Sequence, residues 1–172
     1  VVLARLGLIG LDRSHNVERR GAWSVSTGGS AFVYLFDKEA QARAAEIRTE
    51  LKKLEPIESV LEPAEFQKLG LPRPDDNPEM AQLVLTTRPG FEFDDGVIGE
   101  PIASAGGHKG CHGHRPERPY MHATFLAWGA GIRAGARLKT LENIDVAPTI
   151  ARLLRVPLPA AEGRVRAEIL LP

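Results

Sequence analysis

The apolar run Ala31-Phe32-Val33-Tyr34-Leu35-Phe36 passes straight into a segment of helical periodicity, and that junction constrains the fold more than any other part of the chain. The run favours extended backbone and carries no charge, which predicts a buried strand. After Asp37, a good N-cap residue, Ala40, Ala44, Ile47, Leu51 and Leu54 recur at helical spacing, with Lys, Arg, Glu and Gln on the opposite side. The spacing predicts a helix that stops before Pro56. Residues 23–26 alternate apolar and polar ahead of Thr27-Gly28-Gly29-Ser30, so two strands joined by a glycine turn are expected there. Strands are also expected over residues 57–61 and 80–87, and a short helix over 63–69 that Gly70 terminates. The order strand, helix, strand, helix, strand over residues 23–88 predicts a small α/β layer with helices over a sheet.

The flanks read differently. Val2, Leu3, Leu6 and Ile9 suit a short amphipathic helix broken near Gly7, and residues 12–21 read as a polar, basic loop in which His15 is solvated. Gly28-Gly29-Ser30 lacks both the phosphate-loop Lys and the Gly-x-Ser-x-Gly spacing, so it reads as a turn. Asp75-Asp76-Asn77-Pro78 and Asp94-Asp95-Gly96 lack the spacing of a calcium loop and also read as turns. Downstream, residues 123–128 are expected to form a buried strand ending at Gly129. Asp145 is expected to cap a helix over residues 146–154, with Ile150, Leu153 and Leu154 on its packed face.

The chemistry is concentrated in Gly106-Gly107-His108-Lys109-Gly110-Cys111-His112-Gly113-His114, which holds three of the five histidines and the single cysteine. Imidazole and thiolate are good zinc ligands, and the glycines let the backbone aim a ring. No pair of Cys-x-x-Cys motifs and no His-Glu-x-x-His helix accompanies them, so a self-contained zinc site is not announced. Cys111 reads as a small packed residue, and Lys109, Arg115 and Arg118 make the loop locally basic.

From His112 to Gly163 the sequence resembles the C-terminal part of the alkaline phosphatase superfamily, in its nucleotide pyrophosphatase and type I phosphodiesterase branch. The resemblance rests on His112-Gly113, then Met121, an apolar segment ending in a glycine turn at residues 125–131, the helix start Asn143-x-Asp145-x-x-Pro148-Thr149, and finally Pro159 and Gly163. More loosely, residues 1–11 and Gly28-Gly29 before residues 31–36 resemble the segment leading from an Asp-His-Gly metal motif into an inserted cap. The resemblance implies an α/β fold: residues 1–22 as a segment returning from the core, 23–98 as a small α/β cap, and 99–172 as the metal-ligand loop and C-terminal part of an alkaline-phosphatase-like core. It implies hydrolysis of phosphate esters or nucleotides with two metal ions, usually zinc, and a Thr or Ser nucleophile. His112 is the one metal ligand it places here. It places His108, His114 and Arg115 either behind that ligand, supporting it, or facing the substrate. The nucleophile and the other ligands are expected upstream of Val1, so the chain alone is expected to be inactive. An alternative is a stand-alone structural or metal-binding module.

Composition narrows the remaining classes. Lys plus Arg and Asp plus Glu are 22 each, so no basic field draws the chain to a nucleic-acid polymer or an anionic membrane. No apolar run is long enough to span a bilayer, and no signal peptide is expected. One cysteine allows no internal disulfide.

Overall fold

A computed structural model describes residues 1–100 and 110–172, which divide into two compact units, 1–122 and 123–172. The first unit opens with helix α1 (Val2–Arg5), which ends because Gly7 takes the left-handed conformation at φ +72°. Beyond that break the chain is extended, not helical. Strand β1 (Ile9–Leu11) pairs antiparallel with β2 (Val17–Arg20), although residues 12–21 read as a loop. Asp12 closes the connection, its carboxylate accepting from the Ser14 and Asn16 backbone N–H groups at 2.7 and 2.8 Å.

The main sheet follows the expected order of elements. Strands β3 (Ala22–Ser26), β4 (Ser30–Leu35), β5 (Ile57–Leu61) and β6 (Leu83–Thr87) are arranged β3-β4-β6-β5, with every neighbouring pair antiparallel. Along β4 the side chains alternate, so Ala31, Val33 and Leu35 are buried in one cluster while Phe32 packs into another. Register places Ala31 opposite Leu85 and Val33 opposite Leu83, so one face of β6 extends the same apolar surface. Central strand β6 is buried along its whole length, which is why its sequence shows no alternation.

Asp37 caps as expected, its Oδ1 accepting from the Ala40 N–H at 2.8 Å. The helix that follows is divided into α2 (Lys38–Ala42) and α3 (Ala44–Lys52) by a non-helical Arg43, φ −96° and ψ 10°. Ile47 and Leu51 of α3 join the cluster of Ala31, Val33 and Leu85. On the other face, Phe66 of the 3₁₀ segment Pro63–Leu69 packs with Met80 and Val84. That segment has a reciprocal Glu62 and Glu65 capping box and ends at Gly70, φ +69°.

In the second unit helix α4 (Val146–Leu154) forms, but its packing corrects the sequence reading. Pro148 and Thr149 are its buried residues; of the expected face Leu153 is half-buried, whereas Ile150 and Leu154 are exposed. Asp145 does not cap with its side chain. Its carboxylate accepts from the Arg164 backbone N–H at 2.9 Å and from Arg166 Nη1 at 3.1 Å. Thr149 Oγ1 donates to the Asp145 carbonyl at 2.7 Å and accepts from the Arg166 N–H at 3.0 Å. These buried polar groups fix which side of α4 turns inward. The buried strand expected over residues 123–128 is absent. Leu126 and Trp128 are 80% and 85% exposed, because an apolar run becomes a strand only where a neighbouring strand supplies a ladder.

Candidate functional site

The His/Cys loop docks on the turn between β3 and β4, and the glycine pair there is what lets it approach. The Gly29 N–H donates to the His112 carbonyl at 2.8 Å. A Cβ on Gly29 would lie 2.4 Å from His114 Cγ and 2.5 Å from His114 N, and one on Gly28 would lie 2.7 Å from the His112 carbonyl oxygen. Gly113 reciprocates, with φ +81° and a hypothetical Cβ only 1.8 Å from the Thr27 carbonyl oxygen. Only glycine fits at these close approaches. The pair that reads as a simple hairpin turn is therefore also a docking surface for residues 111–114.

Docking sorts the loop's side chains. His114 turns inward: its Nδ1 lies 3.4 Å from Thr87 Oγ1, its Nε2 lies 3.5 Å from Cys111 Sγ, and its ring meets Tyr120 edge-on at 6.0 Å between centroids. Thr87 Oγ1 sits at the end of β6 within 3.1 Å of the Gly29 carbonyl and 2.9 Å of the Phe91 carbonyl, tying the turn, the strand and the loop together. Sequence reasoning passed over Thr87. Its signal is a polar pair, Thr86-Thr87, closing an apolar strand. Burial pushes the Cys111 thiol above its ordinary range, and the neighbouring Glu92 carboxylate adds to that, so Cys111 is held as a thiol and not activated as a nucleophile.

His112 takes the opposite course. It is exposed, and no side-chain partner holds its ring among the described residues. Arg115 bonds to Glu117 at 3.1 Å, and Arg118 pairs with Glu58 while lying 5.9 Å over the Tyr120 ring, so the loop's arginines are engaged within the unit. His122 is exposed. His108 and Lys109 lie outside the described residues.

Three protein ligands are the usual minimum for a catalytic zinc. Among the described residues no group of three His, Cys, Asp or Glu side chains converges. The described donors therefore do not fit a zinc ion by themselves. His112 can contribute one imidazole to a site completed by other groups. No helix among the described residues is long and apolar enough to cross a membrane. Compared with models of known families, with characterised proteins and with solved structures, the chain matches none.

Proposed function

We propose that this chain is the C-terminal portion of a metal-dependent phosphoric ester hydrolase of the type I phosphodiesterase and nucleotide pyrophosphatase kind. In this reading His112 supplies one imidazole to a zinc site, residues 23–98 form a cap that shapes substrate choice, and residues 99–172 belong to an alkaline-phosphatase-like core. The observation that carries the reading is the loop's division of labour. His114 and Cys111 are turned into the unit, while His112, the position matching the family's ligand, is left exposed on a loop clamped by Gly28, Gly29 and Gly113. A clamped backbone with a free ring suits a ligand that must be presented at a fixed position. The exposed apolar residues of α4, directly after the Asn143-x-Asp145-x-x-Pro148-Thr149 match, further support a core shared with other polypeptide.

Zinc titration of the 172-residue chain against a chromogenic chelator tests this. Weak binding that His112→Ala removes and His114→Ala leaves in place is expected, together with background cleavage of bis(p-nitrophenyl) phosphate. Tight stoichiometric zinc binding that survives His112→Ala refutes the ligand assignment. Zinc-dependent cleavage by these residues alone, lost on mutating groups within them, refutes the view that they need further catalytic residues.

A further inference from the structure

Behind the docked loop, and wholly within residues 1–122, lies a cavity of about 880 Å³, within the size range that holds drug-sized molecules. Its apolar lining comes from where the main sheet meets α3 and the residues after it, with Ala31, Val33 and Leu85 beside Leu51 and Leu54. Trp23, Phe91 and Phe93 add aromatic walls. An occupant therefore has an apolar body.

Apart from the Val1 α-amino group, which donates to the Gly96 carbonyl at 3.1 Å, the charged groups lining the cavity are acidic, and they include Glu92 and Glu100, the latter paired with Arg5. Asp94 and Asp95 line the cavity, and no Lys or Arg does so among the described residues. Each of these carboxylates is oriented by a backbone donor. Asp94 Oδ1 accepts from the Gly96 N–H at 2.8 Å, and Asp95 Oδ1 accepts from the Ser26 N–H at 3.1 Å. Neither makes an ion pair within the described residues, so each keeps its second oxygen and its charge available. A carboxylate pair beside aromatic rings attracts a cation and repels an anion. We propose that this cavity is a binding site for an apolar molecule bearing an amine, with the apolar body against the sheet and the ammonium at Asp94 and Asp95. The site uses neither His112 nor a metal and does not rest on the hydrolase reading.

Calorimetry at low salt with 4-phenylbutylamine, 4-phenylbutanol and 4-phenylbutyrate, three probes of one shape and different charge, decides the matter. The expected order of affinity is amine, alcohol, acid. Asp94→Asn with Asp95→Asn keeps both accepting oxygens and removes the charge. It should weaken the amine about fivefold, the scale of losing two solvent-facing charge contacts, while leaving the alcohol unchanged. Leu54→Trp, at a half-buried position just beyond α3, narrows the cavity and should weaken all three probes. His112→Ala should leave amine binding intact, so this site stands or falls apart from the zinc assignment. Absence of binding by all three probes, acid binding as tight as amine binding, or an amine preference that persists in the double variant each overturns the proposal.

Discussion

Gly29→Ala should separate steric crowding from backbone strain as the reason for glycine at the docking turn. The backbone at Gly29 does not require a positive φ, so the whole penalty comes from the new methyl group, which would sit 2.5 Å from the His114 backbone nitrogen. An ordinary Cβ contact needs about 1 Å more, and overpacking of that order costs roughly 1–3 kcal/mol. If the loop backs away instead, it gives up the 2.8 Å Gly29 to His112 hydrogen bond, worth about 1 kcal/mol. The expected loss is therefore roughly 2–4 kcal/mol if both effects act, and at least the smaller of them if the loop simply lifts away. Two glycines serve as controls. Gly70 has φ +69° with nothing within 4 Å of a Cβ, so Gly70→Ala should cost only the left-handed penalty of about 1–2 kcal/mol. Gly113 combines φ +81° with a Cβ 1.8 Å from the Thr27 oxygen, so Gly113→Ala should be the worst of the three. Urea denaturation gives the order, and amide spectra of residues 110–114 show whether the loop has lifted. If Gly29→Ala destabilises no more than Gly70→Ala and leaves those amides in place, the loop does not dock on the glycine pair.

Three other perturbations test the packing around the site. Phe66→Ala, at a fully buried side chain, should lower stability by about 3–5 kcal/mol in the same urea assay, and a loss under 1 kcal/mol would argue against the second cluster. Thr87→Val keeps the shape but removes the hydroxyl next to the Gly29 and Phe91 carbonyls. It should cost about 1–3 kcal/mol and shift the His114 ring resonances, whereas an unchanged His114 would detach Thr87 from the loop. Asp145 is held below its ordinary value of 3.8 by the Arg164 backbone donor and then by Arg166. A depressed carboxylate adds stability above its unfolded pKa and loses it as pH falls through its folded pKa. Helix α4 should therefore loosen as pH drops below 3.8, and Asp145→Asn should flatten that dependence when followed by amide exchange.

The sheet-forming strands and the helices between them are legible because their signals are local: the Asp37 cap, the Gly70 stop, and the periodicity of residues 40–54. Strand β2 is not legible, since Glu18, Arg19 and Arg20 look solvated and become a strand only through pairing with β1. The break at Arg43 also escapes a periodicity argument, because Ala40 and Ile47 stay buried on either side of it. At the site, the composition of residues 108–114 marks where to look. It cannot show that Gly28 and Gly29, more than eighty residues earlier, are shaped for His112 and His114. Residues 123–128 mislead for the opposite reason, because apolar composition records that burial is favourable without naming the partner.

Helix α4 shows the same point with a sign attached. Its apolar periodicity predicts a packed face at Ile150, Leu153 and Leu154, yet the inward side is set by Thr149 with Asp145 and Arg166. A buried ion pair and a buried hydroxyl demand partners, and they find them in residues 164–166, close in sequence and easily reached. The apolar residues carry no such demand for a specific partner: Leu153 is half-buried beside Gly131, while Leu154 and Ile150 stay 68% and 48% exposed. Fully burying an aliphatic side chain of this size stabilises by about 1.5–3 kcal/mol, so each exposed position leaves a driving force unused. The first unit has no comparable mismatch along its central strand, where every residue of Leu83–Thr87 is buried. The apolar residues of β6 are thus satisfied by the fold around them. Residues 146–154 differ, with a polar pattern satisfied locally and an apolar pattern satisfied only at Leu153 and in part.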